Sequence, residues 1–267
     1  MPLPEDLKIV YFVEPDAAAL ARRAAAYFVE KATAAVAARG RARIAISGGS
    51  TPKAAFRALA EQGEEWHARM PWHALDLWWV DERSVPPDDA ESNYRMTREA
   101  LLDHVPLKPE QIHRMEGELA PDDAAARYDA ELKKSFGLTG AELPRFDLLQ
   151  LGIGPDGHTA SLFPHTEALR VTDRLVAANY VEAQDMWRVT LTRPTINAAR
   201  QVFFLIEGPE KAMILNEVLE GPRDPERLPS QFIVPADGIL TLLLDQAAAT
   251  LLPAPDAHGR GVLERDL

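Results

Sequence analysis

"LLQLGIGPDGHTASLFP", Leu148 to Pro164, is the stretch on which the reading of this chain turns. An apolar run stops at glycine, and a polar Pro-Asp-Gly-His cluster follows. A short, continuous apolar run bounded by glycines reads as a strand buried on both faces of a sheet. In open α/β sheets, ligands bind outside the carboxyl ends of the strands, which is where Gly152 to His158 then lies. Three roles stand open for His158: a satisfied loop histidine, a metal ligand, or the base of an enzyme.

The same grammar recurs on either side. Pro15-Asp16 opens an Ala-rich segment, Ala17 to Ala38, closed by Gly40: a start signal, a helix-forming interior and a glycine stop. "RARIAISGGSTPKAAFRALA" reads as a strand from Arg43 to Ile46, a tight turn, and a helix from Pro52. "LDLWWVDER" reads as one strand, "NYRMTREALLDHV" as a helix, and "PDDAAARYDAELKKSFG" as a helix with a proline start and a glycine end. "RVTLT" and "VFFLIEG" are strands, with "TINAARQ" a short helix between them. "PEKAMILNEVLEG" is a helix and "LTLLLD" a last strand, while "TASLF" after His158 reads as a short helix. Strands alternating with helices imply right-handed crossovers. The predicted fold is α/β, an open, mostly parallel Rossmann-like sheet with helices on both faces. Residues 1–252 read as a single α/β domain, with room for a small subdomain, and 253–267 as a polar C-terminal tail. The Pro-rich segment Gly221 to Pro235 is expected to be a surface loop.

Composition narrows the function classes. The 267 residues suffice for a sizeable core, and 46 % are hydrophobic. Absence of cysteine excludes disulfides, thiolate metal sites and cysteine catalysis. The N-terminus has acidic residues and prolines in place of a secretory signal, and no run approaches the ~18 apolar residues of a membrane span. Against 41 acidic residues stand 29 basic ones, a net charge of −12, which argues against nucleic acid as a partner. An anionic small substrate would meet a repelling global field. Its site must therefore gather cations and backbone N–H groups locally.

Four clusters sit where such a site belongs. After Ile46 come Ser47, Gly48, Gly49, Ser50, Thr51 and Pro52. Glycines let backbone approach a ligand, and a helix N-terminus offers unpaired N–H groups, so this turn has the chemistry of a phosphate cradle. An ordinary turn with Ser50 or Thr51 capping the helix is the alternative. After Val80 come Asp81, Glu82 and Arg83. They pair among themselves at the rim, or Arg83 offers its planar fork to a phosphate or carbonyl oxygen. Ser92 and Asn93 lie just downstream. After Ile206, Lys211 falls near a helix N-terminus, where a lone lysine is unfavourable unless it meets an anion. The fourth cluster holds Gly154, Asp156 and His158. Metal binding by His158 lacks partners: His165 is seven residues on, there is no HExxH, and His104 and His113 lie in another segment. A helix N-terminus at "TASLF" would favour the neutral imidazole that a general base needs. Asp156 is placed to hold its tautomer or to position water.

Together these motifs resemble the 6-phosphogluconolactonases, within the wider group that includes glucosamine-6-phosphate deaminases. SGGSTP (47–52), WVDERSVPPDDAESNYR (79–95), LGIGPDGHTASLFP (151–164), RVTLT (188–192) and GPEKA (208–212) occur in the family's order and span most of the chain. The resemblance implies hydrolysis of 6-phospho-D-glucono-1,5-lactone to 6-phospho-D-gluconate, the second step of the oxidative pentose phosphate pathway, in the cytoplasm, without metal or cofactor. It implies His158 as general base with Asp156 beside it. The SGGST turn and Lys211 become phosphate ligands, and Arg83 and Arg188 site cations. The expected partner is a phosphosugar lactone, with neither nucleic acid nor membrane, acting on a monomer or weak homo-oligomer. Two departures stand out: Pro155, where the family often has a polar residue, and Arg193, where a more apolar one is expected.

Two rivals share the scaffold. Aldose–ketose isomerases and deaminases acting on amino-sugar phosphates typically carry a glutamate shortly after this histidine. Thr159 to Pro164 contains none, and the next acidic residue is Glu167. A non-catalytic sugar-phosphate sensor would need a DNA-binding module, and the chain has no spare basic segment.

Overall fold

The computed structural model describes residues 7–252 and 262–263. Strand β1 (Lys8–Glu14) leads into helix α1 (Ala17–Arg39). The Asp16 carboxylate accepts a bond from the Ala19 N–H at 2.8 Å, and Gly40, at φ 76°, closes the helix by donating to the Val36 carbonyl. β2 (Ala42–Ile46) and α2 (Ser50–Ala60) follow, then the short α3 (Glu65–Arg69), β3 (Leu75–Trp79) and β4 (Asp81–Arg83). Next come α4 (Asn93–Ala100), β5 (Ile112–His113), α5 (Pro121–Phe136) and β6 (Leu148–Leu151). β7 (Val176–Val181), β8 (Met186–Leu191), α6 (Arg193–Asn197) and β9 (Val202–Ile206) continue the chain. α7 (Ala212–Glu220), β10 (Ile239–Asp245) and β11 (Val262–Leu263) complete it.

The large sheet runs β11-β1-β10-β9-β6-β2-β3-β5, and every described pairing in it is parallel. Side chains alternate between faces along a strand, yet all five residues of β9 are buried. Both faces of the sheet are therefore covered, as in an α/β fold. No helix among the described residues is long and apolar enough to cross a membrane. The strand order also locates a crevice. β2 leads to β3 on one side, whereas β6 leads toward β9 and β10 on the other. Adjacent strands whose connections diverge form a topological switch point, the usual ligand site of such sheets.

Several sequence expectations change here. "LDLWWVDER" is two strands: the chain leaves the large sheet at Val80, and β4 joins a three-stranded antiparallel sheet in the order β4-β8-β7. "RVTLT" thus belongs to this small sheet and not to the parallel one. β1 and β7 were not anticipated. "NYRMTREALLDHV" stays α-helical only to Ala100 and tightens into a 3₁₀ turn at Leu102–His104. "TASLF" is no helix: Ala160 takes φ 49°, and Thr159 bridges Leu162. The segment expected as a surface loop is buried at Leu228 and from Pro229 to Gln231, and Ile233 is buried too. There Ser230 donates from N and Oγ to the Gly157 carbonyl, at 2.9 and 2.8 Å, and braces the turn before His158. Of the C-terminal tail, Val262–Leu263 pair with β1; its remaining residues, and 1–6, lie outside the described residues.

Candidate active site

At the switch point, a cleft of about 240 Å³ opens among the carboxyl ends of β2 and β6 and the small sheet. Ser47, Gly48, Gly49, Asp81, Arg83, Asn93, Gly154, His158, Arg188 and Lys211 all line it. Ten of the thirteen residues predicted for the site thus meet in one place. Ser50 and Thr51 do not line the cleft; they form the first turn of α2. Asp156 stands behind His158.

The glycine turn leaves its helix open. α2 begins at Ser50, two residues before the expected Pro52, and its N-cap is Gly49, with no side-chain cap. Neither Ser50 nor Thr51 therefore caps this helix. Gly49 sits at φ 117°, where side chains are strained. A Cβ on Gly48 would overlap the Asn93 carboxamide, so only glycine admits that packing. Asn93 is tied by its Nδ2, which donates to the Asp81 carbonyl at 3.0 Å. Behind the turn, the Ser47 N–H donates to Gln150 Oε1 at 3.0 Å, and Gln150 Nε2 donates to Ser47 Oγ at 2.8 Å.

Three cations face this turn. Lys211 ends a 3₁₀ turn just ahead of α7, and its Nζ donates to the Ile153 carbonyl at 3.0 Å. Arg83 and Arg188 are directly opposite one another in the β4–β8 register. Arg83 Nη1 donates to the Glu91 carbonyl, and Arg188 Nη2 to Gln184 Oε1. The Nε atoms of both are buried without a partner among the described residues. Burial first, and then the charge of Arg83, lowers the Arg188 guanidinium pKa, though an arginine stays cationic. Like charges placed across a ladder repel one another, Glu91 Oε2 lies 3.7 Å from Arg83 Nη1, and the two guanidinium forks together can grip an anion. Arg193 lies over the Phe232 ring at 4.6 Å and does not line the cleft.

At the other end, His158 Nδ1 and Asp156 Oδ1 are 2.5 Å apart. The His158 backbone N–H also donates to that oxygen, at 3.1 Å. A carboxylate on Nδ1 fixes the tautomer and leaves Nε2 with its lone pair. Burial, the largest influence on Asp156, raises its pKa. The hydrogen bond and charge of His158, with backbone N–H groups, outweigh it and hold the carboxyl below its ordinary value. Phe163 stacks on the imidazole with centroids 3.9 Å apart, and the Arg188 guanidinium lies 5.8 Å from the same ring. Gly154 makes room for the pair: a Cβ there would overlap both His158 and Asp156.

Two buried groups hold the frame. Glu82 accepts from the N–H groups of Arg83, Asn93 and Tyr94, and from Ser92 Oγ, at 2.7 to 3.1 Å. Burial pushes its pKa up, and those backbone donors pull against it. Asp81 Oδ2 accepts from Ser161 Oγ at 2.6 Å, tying β4 to the loop after His158. Glu82, Gln150 and Phe163 were not anticipated as site residues. For Glu82 and Gln150 the sequence signal was a polar side chain inside or beside an apolar strand, which for Gln150 passes unnoticed in "LLQL"; Phe163 carried none. Among the described residues, no three His, Asp or Glu side chains are grouped closely enough to hold a metal ion.

The sequence pattern of the glucosamine-6-phosphate isomerases/6-phosphogluconolactonase family matches residues 15–242. The chain belongs to this family. Among its members, the 6-phosphogluconolactonase of Synechocystis sp. is 43 % identical over 216 residues, 80 % of this chain and 87 % of the relative. The 6-phosphogluconolactonase of Nostoc sp. is 41 % identical over 241 residues, 90 % of this chain and 97 % of that one. A solved family structure, 6-phosphogluconolactonase from Trypanosoma cruzi, superposes with a TM-score of 0.79 at 33 % identity, covering 95 % of this chain and 99 % of its own.

Proposed function

We propose that this cleft hydrolyses 6-phospho-D-glucono-1,5-lactone to 6-phospho-D-gluconate, with His158 as general base. The observation that carries the reading is His158, with Asp156 2.5 Å from its Nδ1, lining the same cleft as three cations and the glycine turn that opens α2. The relatives named 6-phosphogluconolactonase supply the substrate.

The phosphate rests on the glycine turn, Lys211 and Arg188, which sets the lactone carbonyl beside His158. Water attacks C1 as Nε2 takes its proton. The resulting oxyanion is met by backbone N–H groups or by Arg83. The tetrahedral centre collapses, the C1–O5 bond breaks, and the imidazolium returns its proton to the ring oxygen. The new carboxylic acid then ionises, so each turnover releases one proton. No serine nucleophile is required, because a sugar lactone is already reactive toward water. General-base assistance of ~10²–10⁴-fold, with fixed orientation, suffices.

Glu167 bears on the isomerase or deaminase alternative. It lines a separate groove of about 560 Å³, with Asp156, His165 and Trp187, and is not among the residues lining the cleft. That placement supports hydrolysis over ring-opening proton transfer.

Lactone disappearance above its spontaneous rate, followed by proton release at fixed pH, tests the reading. His158→Ala is expected to lower kcat by ~10²–10⁴-fold with little change in KM. Wild-type turnover by that variant would overturn His158 as the base. Ammonia from glucosamine 6-phosphate would instead favour the deaminase.

A further inference from the structure

Gln150 is the anomaly of the central strand. It lies on β6, is fully buried, and is flanked by leucines that are equally buried. Leaving a buried amide unpaired costs about 1–3 kcal/mol, so its bonds repay attention. Both described bonds go to one residue, Ser47, at the end of the neighbouring strand. The backbone ladder between β2 and β6 registers Ile44 with Leu148 and Ala45 with Leu149. Gln150 continues that contact with its side chain, at the point where the two strands diverge.

The geometry also fixes the direction of each bond. The Ser47 N–H is an obligate donor, so the amide oxygen of Gln150 must face it, and Nε2 must face Ser47 Oγ. Nε2 carries only protons, so Ser47 Oγ accepts. Its own proton cannot return along that line. Ser47 lines the cleft, and the glycine turn and Lys211 lie beside it.

We propose that Gln150 is a positioning residue that sets the Ser47 hydroxyl as a fixed donor into the cleft, for the anionic end of the substrate. This rests on the lactonase reading for the substrate but not for the anion. An apolar residue at 150 would fill the same space, but it would leave the Ser47 N–H without this acceptor and would free the hydroxyl to rotate. Gln150 touches no ligand itself; it acts through Ser47.

The test is a double-mutant cycle read by binding of inorganic phosphate and 6-phosphogluconate in calorimetry, alongside lactone kinetics. Ser47→Ala is expected to weaken both ligands by about tenfold, the usual worth of one hydrogen bond to a charged group, and Gln150→Leu by about threefold, because the freed hydroxyl must choose among its staggered rotamers. The double variant should lose no more than Ser47→Ala alone, because without the hydroxyl Gln150 has nothing to position. KM for the phosphorylated lactone should rise with kcat little changed, while unphosphorylated glucono-1,5-lactone reacts alike in all forms. Gln150→Glu retains an acceptor for the Ser47 N–H and serves where Gln150→Leu fails to fold. It draws the hydroxyl proton back from the cleft and should weaken phosphate as Ser47→Ala does. Undiminished phosphate binding by the Gln150 variants would overturn the proposal, as would losses that multiply in the double variant. Weakened phosphate binding in a protein that leaves the lactone intact would sustain the role of Gln150 and sink the lactonase reading.

Discussion

Arg83 stands directly opposite Arg188 across the β4–β8 pair, each with its Nε buried and unpartnered among the described residues. Such a cross-strand pair of like charges destabilises the ladder by a few tenths of a kcal/mol or more, and an anion between them reverses the sign. Without ligand, Arg188→Gln should therefore unfold no more readily than wild type. With phosphate at 100 times Kd, wild type gains about 2.7 kcal/mol, and the variant should gain far less at the same concentration. Thermal melts with and without phosphate check this, and equal gains in the two proteins would remove Arg188 from the anion site.

Asp156 carries a pH signature. Its carboxyl is held below the ordinary value of 3.8, so the folded state binds that proton less readily than the unfolded chain. The resulting stability is complete above the ordinary value and is lost as pH falls through the lowered one. Asp156→Asn should thus unfold at lower denaturant than wild type at pH 7. The gap should close in acid well below pH 3.8. The same variant should lose kcat at neutral pH, since the amide can present its N–H to Nδ1 and stabilise the wrong tautomer. A gap that persists in acid would show that the pair adds no pH-linked stability.

Gly154 separates catalysis from folding. Its φ is not in the left-handed region, so alanine fits the backbone, and the atoms nearest the new methyl belong to the His158 and Asp156 side chains. Gly154→Ala should keep a cooperative unfolding transition, with stability held up by a less flexible unfolded chain. Its kcat should fall by two orders of magnitude or more as the pair is displaced. Full activity would mean that the imidazole works from another position.

The strand ends were legible because each apolar run stops at a polar cluster, and ten predicted residues meet in the cleft for that reason. The small sheet was not legible. Whether Asp81–Arg83 prolongs β3 or starts anew depends on β8, more than a hundred residues later, and no local pattern announces that partner. "TASLF" misled because its apolar content suits a helix. Tertiary bonds decide otherwise: Asp81 holds Ser161, Asn179 donates to the Ser161 carbonyl, and Ala160 is left at φ 49°. The buried stretch from Leu228 to Gln231 likewise depends on the Gly157 carbonyl that Ser230 reaches. Gln150 was hidden by its neighbours, since one polar residue does not alter the pattern of an apolar strand.

Phe163 gives the cleft a sense of length. The imidazole lies on its ring, and the Arg188 guanidinium approaches the same ring, so one side chain spaces the base from the anion grip. Two loops moving independently would accept phosphates at various reaches from the carbonyl. A shared aromatic spacer makes the cleft a gauge. A lactone whose phosphate sits one carbon nearer its carbonyl can satisfy one end of that gauge, but not both.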